Sequence, residues 1–452
     1  MLKGMSVAAT TLGCKVNQAE TDSMLDMLKA AGANIVEFDE KADIYIVNTC
    51  SVTNIADKKS RQMLHRARKM NPDGIVIAAG CYVQSAREIL EQDEAIDIVI
   101  SNNKKKSITE IVNDYINVRN NEKNAPCKDH EAMEYFVDIS RETEYEEMGG
   151  HVPVGHTRAY VKIQDGCNQF CSYCIIPYVR GRIRSRSQEA ILAEVSELAE
   201  AGIKEVVLTG IHISSYGKDK NNEGALIELI EAISKIKGIK RIRLGSLEPG
   251  IITEEFVERI SSNSKVCPHF HLSLQSGCDS VLKRMNRKYT CKQYFEKCDM
   301  LRKAYKSPAL TTDVIVGFPG ETEEEFAETV RYLTELNLYE MHIFKYSPRK
   351  GTVAAAMKEQ VAPEIKNERS DVLLKLAHDN KTAYEAQFEG CELEVLVEEV
   401  VKKNNKTYLR GHTERYMDIL IDVGDISMPE SFVNSFVYVT YTQNGGNLPL
   451  LL

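Results

Sequence analysis

No apolar run in this sequence is long enough to span a bilayer. The longest, 75-IVIAAG-80 and 314-VIVG-317, fall far short of the ~20 residues a membrane helix needs. The opening MLKGMSVAATTLGC lacks the basic patch, long apolar core and small-residue cleavage site of a secretory signal. The expectation is therefore a cytoplasmic protein with no membrane attachment. A surplus of positive charge is also missing: 57 Lys and Arg face 66 Asp and Glu, for a net charge of −9, so any nucleic-acid surface must be local. A disulfide framework is excluded by a reducing compartment, which leaves metal binding and ordinary burial to account for 12 cysteines. What is present is an ordinary globular composition, 43% hydrophobic and 27% charged. Its 452 residues suffice for roughly two to four domains.

Hydrophobic periodicity predicts an α/β protein. Residues 1–102 alternate strands near 5–12, 43–49, 74–80 and 96–100 with helices near 17–32, 55–70 and 84–92. That rhythm predicts a parallel sheet with helices on its faces. Residues 103–157, with KKK at 104–106 and NNEKNAPCKDHE, read as a polar linker holding one strand or helix. Residues 158–362 resume the alternation, with strands RAYVKIQ, EVVLTG, RIRLGS, HFHLSL, TTDVIVG and EMHIFK and helices over 188–202, 225–238 and 321–337. Six such units are too few to close an eightfold barrel, so a partial barrel is expected. Residues 363–383 form a connecting helix, and 384–452 alternate at period two, which predicts a small five-stranded β module. The terminal NLPLLL reads as a frayed end.

Chemistry concentrates in 165-DGCNQFCSYCIIP-177, where Cys167, Cys171 and Cys174 fall within eight residues. Structural zinc takes four ligands, and a disulfide would leave one thiol over. Three thiolates suit a cubane iron–sulfur cluster with one iron free of protein ligands. The loop follows the strand RAYVKIQ, at the end where βα barrels carry their chemistry. The C-x3-C-x2-C spacing, with Tyr173 before the last cysteine, resembles the signature of the radical SAM superfamily. That resemblance implies S-adenosylmethionine on the free iron and its cleavage to a 5′-deoxyadenosyl radical. Other strand ends then supply candidate cofactor contacts. Thr209 and Gly210 offer backbone groups to the methionyl amine. Ser246, Gln275 and Asp313 offer hydrogen bonds to the ribose or methionyl group, and Arg287 offers a fork for the carboxylate.

Cys14, Cys50 and Cys81 each follow an apolar strand of the first domain, VAATTLG, IYIVNT and IVIAAG. In a parallel sheet these ends point the same way, so the three thiols can converge as a second cluster site. Cys127, Cys267, Cys278, Cys291, Cys298 and Cys391 read as small buried or incidental residues. A three-cysteine first domain, a C-x3-C-x2-C barrel and a terminal β module together resemble the methylthiotransferases over essentially the whole chain. The segment GCKVNQAE, with Asn17 and Gln18, matches as well. The resemblance implies an auxiliary 4Fe–4S cluster that takes part in sulfur delivery, a radical SAM cluster and a TRAM domain. It also implies two S-adenosylmethionine molecules per turnover, one for the methyl group and one for the radical. TGIHISSYG, GSLEP and SPRKGTVAA look most similar to the branch acting on N6-threonylcarbamoyladenosine at tRNA position 37, whose product is the 2-methylthio derivative. The cofactors carry the chemistry, so no side chain is named as acid or base. A flavodoxin- or ferredoxin-like reductant is implied. Two alternatives stand beside this reading: methylthiolation of another tRNA adenosine or of a ribosomal protein side chain, and an iron–sulfur redox-sensing RNA-binding protein that is not an enzyme.

Two local windows oppose the acidic total. One is 178-YVRGRIRSR-186, with Arg180, Arg182, Arg184 and Arg186. The other holds Lys402, Lys403, Lys406, Arg410 and Arg415 with Tyr408 and Tyr416 interleaved. Arg180, Arg182, Lys402, Lys403 and Arg410 are the candidate contacts to a tRNA anticodon loop, through phosphates and base stacking.

Overall fold

A computed structural model describes residues 2–121, 133–149, 157–404, 406–424, 428–442 and 445–447. Cys127 and the end of NLPLLL beyond Asn447 lie outside the described residues.

The first domain is a six-stranded parallel sheet in the order Asn34–Ile35, Ser6–Thr11, Ile44–Thr49, Ile75–Gly80, Ile98–Ile100, Met133–Tyr135. Its central strands IYIVNT and IVIAAG are buried at every position, as strands covered on both faces must be. Leu28, Ile46, Ile77 and Val112 pack on one face, and Tyr45, Val47, Leu64 and Val99 on the other. The stretch read as a linker contributes to this domain. Helix Ile108–Asn121 buries Ile108, Ile111 and Val112, and Met133–Tyr135 pairs with Ile98–Ile100 at the sheet edge. MEY is too short and too polar to stand out from its surroundings by periodicity.

The central domain has six parallel strands: Arg158–Asp165, Glu205–Gly210, Arg241–Leu244, His269–His271, Ala309–Val316 and Glu340–Lys345. Bridges Ile242↔Val266 and Leu247↔Leu272 join the first three to the last three, so the sheet curves continuously as a partial barrel. The pair Arg184–Ser185 runs antiparallel to Arg158–Asp165 at one edge. Val161, Leu208, Ile242, Phe270 and Val314 point outward into the helix layer. Several helices start where side chains satisfy free N–H groups: Thr290 and Thr322 each form a capping box, with Gln293 and Glu325.

Helix Pro363–Ala386, with Pro in its first turn, leads to the last module. There Glu392–Lys403, Lys406–Thr413, Asp418–Asp422, Gly445–Asn447 and Phe436–Thr442 close a five-stranded barrel. Alternate residues Val437, Val439 and Tyr441 face its core. The module docks on the central domain through buried arginines. Arg241 donates to the Glu394 and His412 carbonyls at 3.0 and 3.1 Å, and Arg243 to the Glu414 and Thr413 carbonyls at 2.9 and 3.2 Å.

Candidate active site

The strand Arg158–Asp165 ends in Gly166 with φ +71, where a Cβ would lie 1.8 Å from the Arg182 carbonyl oxygen; only glycine lets the chain turn there. The cysteine loop that follows is held from several sides. Cys167 N–H donates to the Gly181 carbonyl at 3.0 Å, Ser172 N–H to Met285 at 3.0 Å, and Ala354 N–H to Ser172 at 2.8 Å. One sulfur already has a strong donor: Arg287 Nη1 lies 3.2 Å from Cys171 Sγ. The remaining Arg287 nitrogens donate to Tyr289 Oη at 2.8 Å and the Ser273 carbonyl at 3.3 Å. Each of the three nitrogens thus has one protein partner, which leaves one N–H on Nη1 and one on Nη2 for the cofactor carboxylate expected there.

The first-domain thiols converge from adjacent strands. Cys14 caps helix Lys15–Ala30, Cys50 follows Ile44–Thr49, and Cys81 opens helix Cys81–Ser85. A Cβ at Gly13 would lie 2.7 Å from Cys50 Sγ, so that glycine is what lets the first two loops meet. Cys14 is exposed, whereas Cys50 and Cys81 are buried. Burial pushes the Cys50 and Cys174 thiols up to about 12 and Cys167 up to about 11, so each needs a cation to be held as thiolate. Two triads of soft sulfur donors fit iron–sulfur clusters and do not make up the four ligands of structural zinc.

Arg180 is 0% exposed and joins the central domain to the first, where it reaches one of the first-domain thiols. Its Nε donates to Cys81 Sγ at 3.3 Å, Nη2 to Asn17 Oδ1 at 2.6 Å, and Nη1 to Glu20 Oε1 at 2.5 Å and Asp165 Oδ2 at 3.1 Å. Lys162 Nζ adds bonds to Glu20 at 2.7 Å and Asp165 at 2.6 Å, and Lys105 pairs with Glu20. Burial alone would raise the Glu20 carboxyl, but Arg180, Lys105 and Lys162 outweigh it and hold the group well below the usual carboxylate range. Asp165 is depressed in the same way against burial, by Lys162, Arg180 and Arg184. The sequence reading placed Arg180 on RNA; the structure places it in the interface of the first two domains, where no phosphate reaches it. Arg184 and Arg186 are likewise buried, at 1% and 4% exposure. Of the four arginines in that run, only Arg182 is exposed.

A cavity of about 240 Å³ lies between the domains. Val52 and Thr53 line it from the loop after Cys50, Tyr173 and Cys174 from the cysteine loop, and Gln275, Asp313 and Phe344 from the barrel. Three expected cofactor contacts, Tyr173, Gln275 and Asp313, thus share one wall. Gln275 adopts φ +77, with its N–H donating to the Asp313 carbonyl at 2.9 Å. Thr209, Gly210 and Ser246 do not line this cavity. Thr209 is buried, Gly210 packs against Gln164, and Ser246 is exposed beyond Arg241–Leu244. Arg349, from SPRKGT, ties the central domain to the first domain at their junction, donating to Asn54 Oδ1 at 2.6 Å, Asp57 Oδ2 at 2.7 Å and Ser51 Oγ at 2.9 Å.

In the last module Lys402, Lys403 and Lys406 are exposed at one hairpin end. Arg410 is neutralised by Asp418 at 2.8 Å and Glu399 at 3.2 Å, which removes the free charge expected of an RNA contact. Tyr416 also departs from that role: it stacks on His412 at 4.5 Å and lies under Arg158 and Arg243 at the domain junction. Among the other cysteines, Cys267, Cys278 and Cys298 are buried, Cys291 is half-buried and Cys391 is exposed.

Residues 161–333 match the Radical SAM superfamily, and residues 6–101 match the Uncharacterized protein family UPF0004. The chain is 40% identical over 416 residues to the threonylcarbamoyladenosine tRNA methylthiotransferase MtaB of Bacillus subtilis (strain 168), covering 92% of this chain and 90% of that one. The chain belongs to the radical SAM tRNA methylthiotransferases. Members of this family are transferases that use S-adenosylmethionine and 4Fe–4S clusters. A tRNA-2-methylthio-N(6)-dimethylallyladenosine synthase of Thermoanaerobacter pseudethanolicus is 35% identical, over 96% of this chain and 90% of its own. The solved structure of TsrM, a radical S-adenosylmethionine methyltransferase from Kitasatospora setae, aligns with TM-score 0.56 at 15% identity over 76% of this chain and 77% of that one, a likeness of fold. Among the described residues, no helix of this methylthiotransferase is long and apolar enough to cross a membrane.

Proposed function

We propose that this methylthiotransferase converts N6-threonylcarbamoyladenosine at position 37 of a tRNA anticodon loop to its 2-methylthio derivative, in the cytoplasm, with electrons from a flavodoxin- or ferredoxin-like donor. Cys167, Cys171 and Cys174 hold the radical SAM cluster, and Cys14, Cys50 and Cys81 the auxiliary cluster. The observation that carries this reading is the short helix Ile176–Arg180. It starts just past Cys174 and ends in the guanidinium bound to Cys81, so the two thiol sites are built as one unit. Supporting the substrate are the 40% and 37% identities to enzymes named for threonylcarbamoyladenosine, from Bacillus subtilis and Aquifex aeolicus.

When bound, the clusters and S-adenosylmethionine supply the electron, the methyl group and the sulfur. The protein's own part is positioning. Arg180 and Arg287 orient one sulfur in each triad through N–H···S bonds, which also tune the potential of a cluster held there. Tyr173, Gln275 and Asp313 offer an aromatic face and polar groups for the cofactor in the cavity. Val52, Ile176, Ile315 and Phe344 line the same cavity with apolar surface that excludes water from the reacting carbon. Lys402 and Lys403 contribute phosphate contacts, so tRNA affinity falls steeply as salt rises. Nucleoside analysis of tRNA from a deletion strain tests the assignment. Loss of the 2-methylthio-threonylcarbamoyl peak with accumulation of its precursor is expected, and an unchanged peak refutes it.

A further inference from the structure

The three buried arginines of YVRGRIRSR leave Arg182 alone at the surface, and its surroundings are aromatic. Its guanidinium carbon sits 4.5 Å from the centroid of the Phe170 ring. Tyr178 meets the same ring edge-on, with centroids 5.9 Å apart and planes at 87°, and remains 48% exposed. Among the described residues no carboxylate pairs with the Arg182 guanidinium, unlike those of Arg180, Arg184 and Arg186. The group is also fixed in place. Phe170 holds φ +48, a conformation bulky residues rarely adopt, with its carbonyl accepting from Asn286 Nδ2 at 2.9 Å. The Arg182 backbone is held against Gly166, where a side chain would collide with it.

We infer that Phe170, Tyr178 and Arg182 form a stacking platform for one unpaired nucleotide flanking the modified adenosine, an inference that rests on the tRNA reading above. An exposed ring, a planar cation seated on a second ring and one free positive charge make the combination that grips single-stranded nucleic acid: base on aromatic or guanidinium face, phosphate on the cation. Its place fits. Phe170 lies between Cys167 and Cys171, in the same loop whose Tyr173 and Cys174 line the central cavity. A nucleotide stacked here lies beside the loop that faces the reacting base. The platform also replaces Tyr416, whose ring is used at the domain junction.

The test measures binding of a fluorescent anticodon stem-loop to the cluster-loaded enzyme, comparing wild type with Tyr178→Ala, Arg182→Gln and Arg182→Lys, with iron content checked for each. The RNA is offered intact and with an abasic site at either nucleotide flanking the target. On intact RNA, Tyr178→Ala and Arg182→Gln are each expected to weaken binding about tenfold. Arg182→Lys, which keeps charge but not planarity, falls between. One abasic RNA loses a similar factor with wild type, and on that RNA Tyr178→Ala causes no further loss. Variants that bind all three RNAs as wild type does overturn the platform while leaving the methylthiotransferase reading intact. A wild-type enzyme that does not bind the stem-loop refutes the tRNA reading and the platform with it.

Discussion

Replacing Arg180 with Met removes the centre of a buried ionic cluster while keeping an unbranched chain of similar length. Five hydrogen bonds from its guanidinium end on Glu20, Asp165, Asn17 and Cys81. Breaking a buried ion pair from one side costs about 3–5 kcal/mol, because the partner stays buried and under-compensated. Here Lys105 and Lys162 remain on Glu20, and Lys162 on Asp165, so the expected cost lies at the low end, about 3 kcal/mol. The assay is urea denaturation of the cluster-free protein followed by near- and far-ultraviolet dichroism, with the slope compared between variants. A pH series adds an independent signature. Glu20 and Asp165 are both depressed from their ordinary 4.5 and 3.8, so their contribution is complete above those values and is lost as pH falls below them. Arg180→Met makes that acid loss shallower. The double variant with Glu20→Gln then loses less than the two singles added together. A cost below about 1 kcal/mol at unchanged slope, or singles that simply add, refutes the view of Arg180 as the tie between the domains.

Two further outcomes follow from the site. Cys171→Ala is expected to lower reconstituted iron by about half, from about eight to about four atoms per chain, and to abolish S-adenosylmethionine cleavage; undiminished iron with intact cleavage contradicts the ligand assignment. His212, which accepts or donates at Nδ1 with Ser215 Oγ at 2.6 Å, is lowered to about 4 by burial and then by the charges of Arg287 and Lys218. A neutral buried histidine contributes stability above its ordinary 6.5 that is lost as pH falls toward about 4. At pH 5 the loss is about 2 kcal/mol, and His212→Gln removes that part of the slope; an equal slope in both proteins counts against it.

The sheet strands were legible because their apolar residues either run continuously, as in IVIAAG, or alternate, as in FVYVTYT. Cys14, Cys50 and Cys81 stood out because each follows such a strand, and Cys167, Cys171 and Cys174 because of their compact C-x3-C-x2-C spacing. The ionic cluster was not. Glu20 meets Lys105, Lys162 and Arg180 across 85, 142 and 160 residues, and nothing local separates a buried charge from a solvated one. Lys105 lies within the KKK run that reads as polar surface, yet it is 0% exposed. Lys162 did carry a signal, since a lysine inside the apolar strand RAYVKIQ needs a partner on the inner face. The basic run YVRGRIRSR showed the opposite failure. A positive window reads as a phosphate surface, but three of its four arginines satisfy carboxylates or carbonyls, and only Arg182 is available to a ligand.

The central claim is that clusters held by the two thiol sets serve the placing of a methylthio group on threonylcarbamoyladenosine. The most direct measurement incubates the cluster-loaded enzyme with S-adenosylmethionine, a reductant and tRNA from the deletion strain, then digests the tRNA and resolves its nucleosides by mass. The account expects the 2-methylthio-threonylcarbamoyl product with wild type and its absence with Cys14→Ala or Cys171→Ala. Product formation by either variant, or none by the wild type from tRNA that carries the precursor, would contradict it.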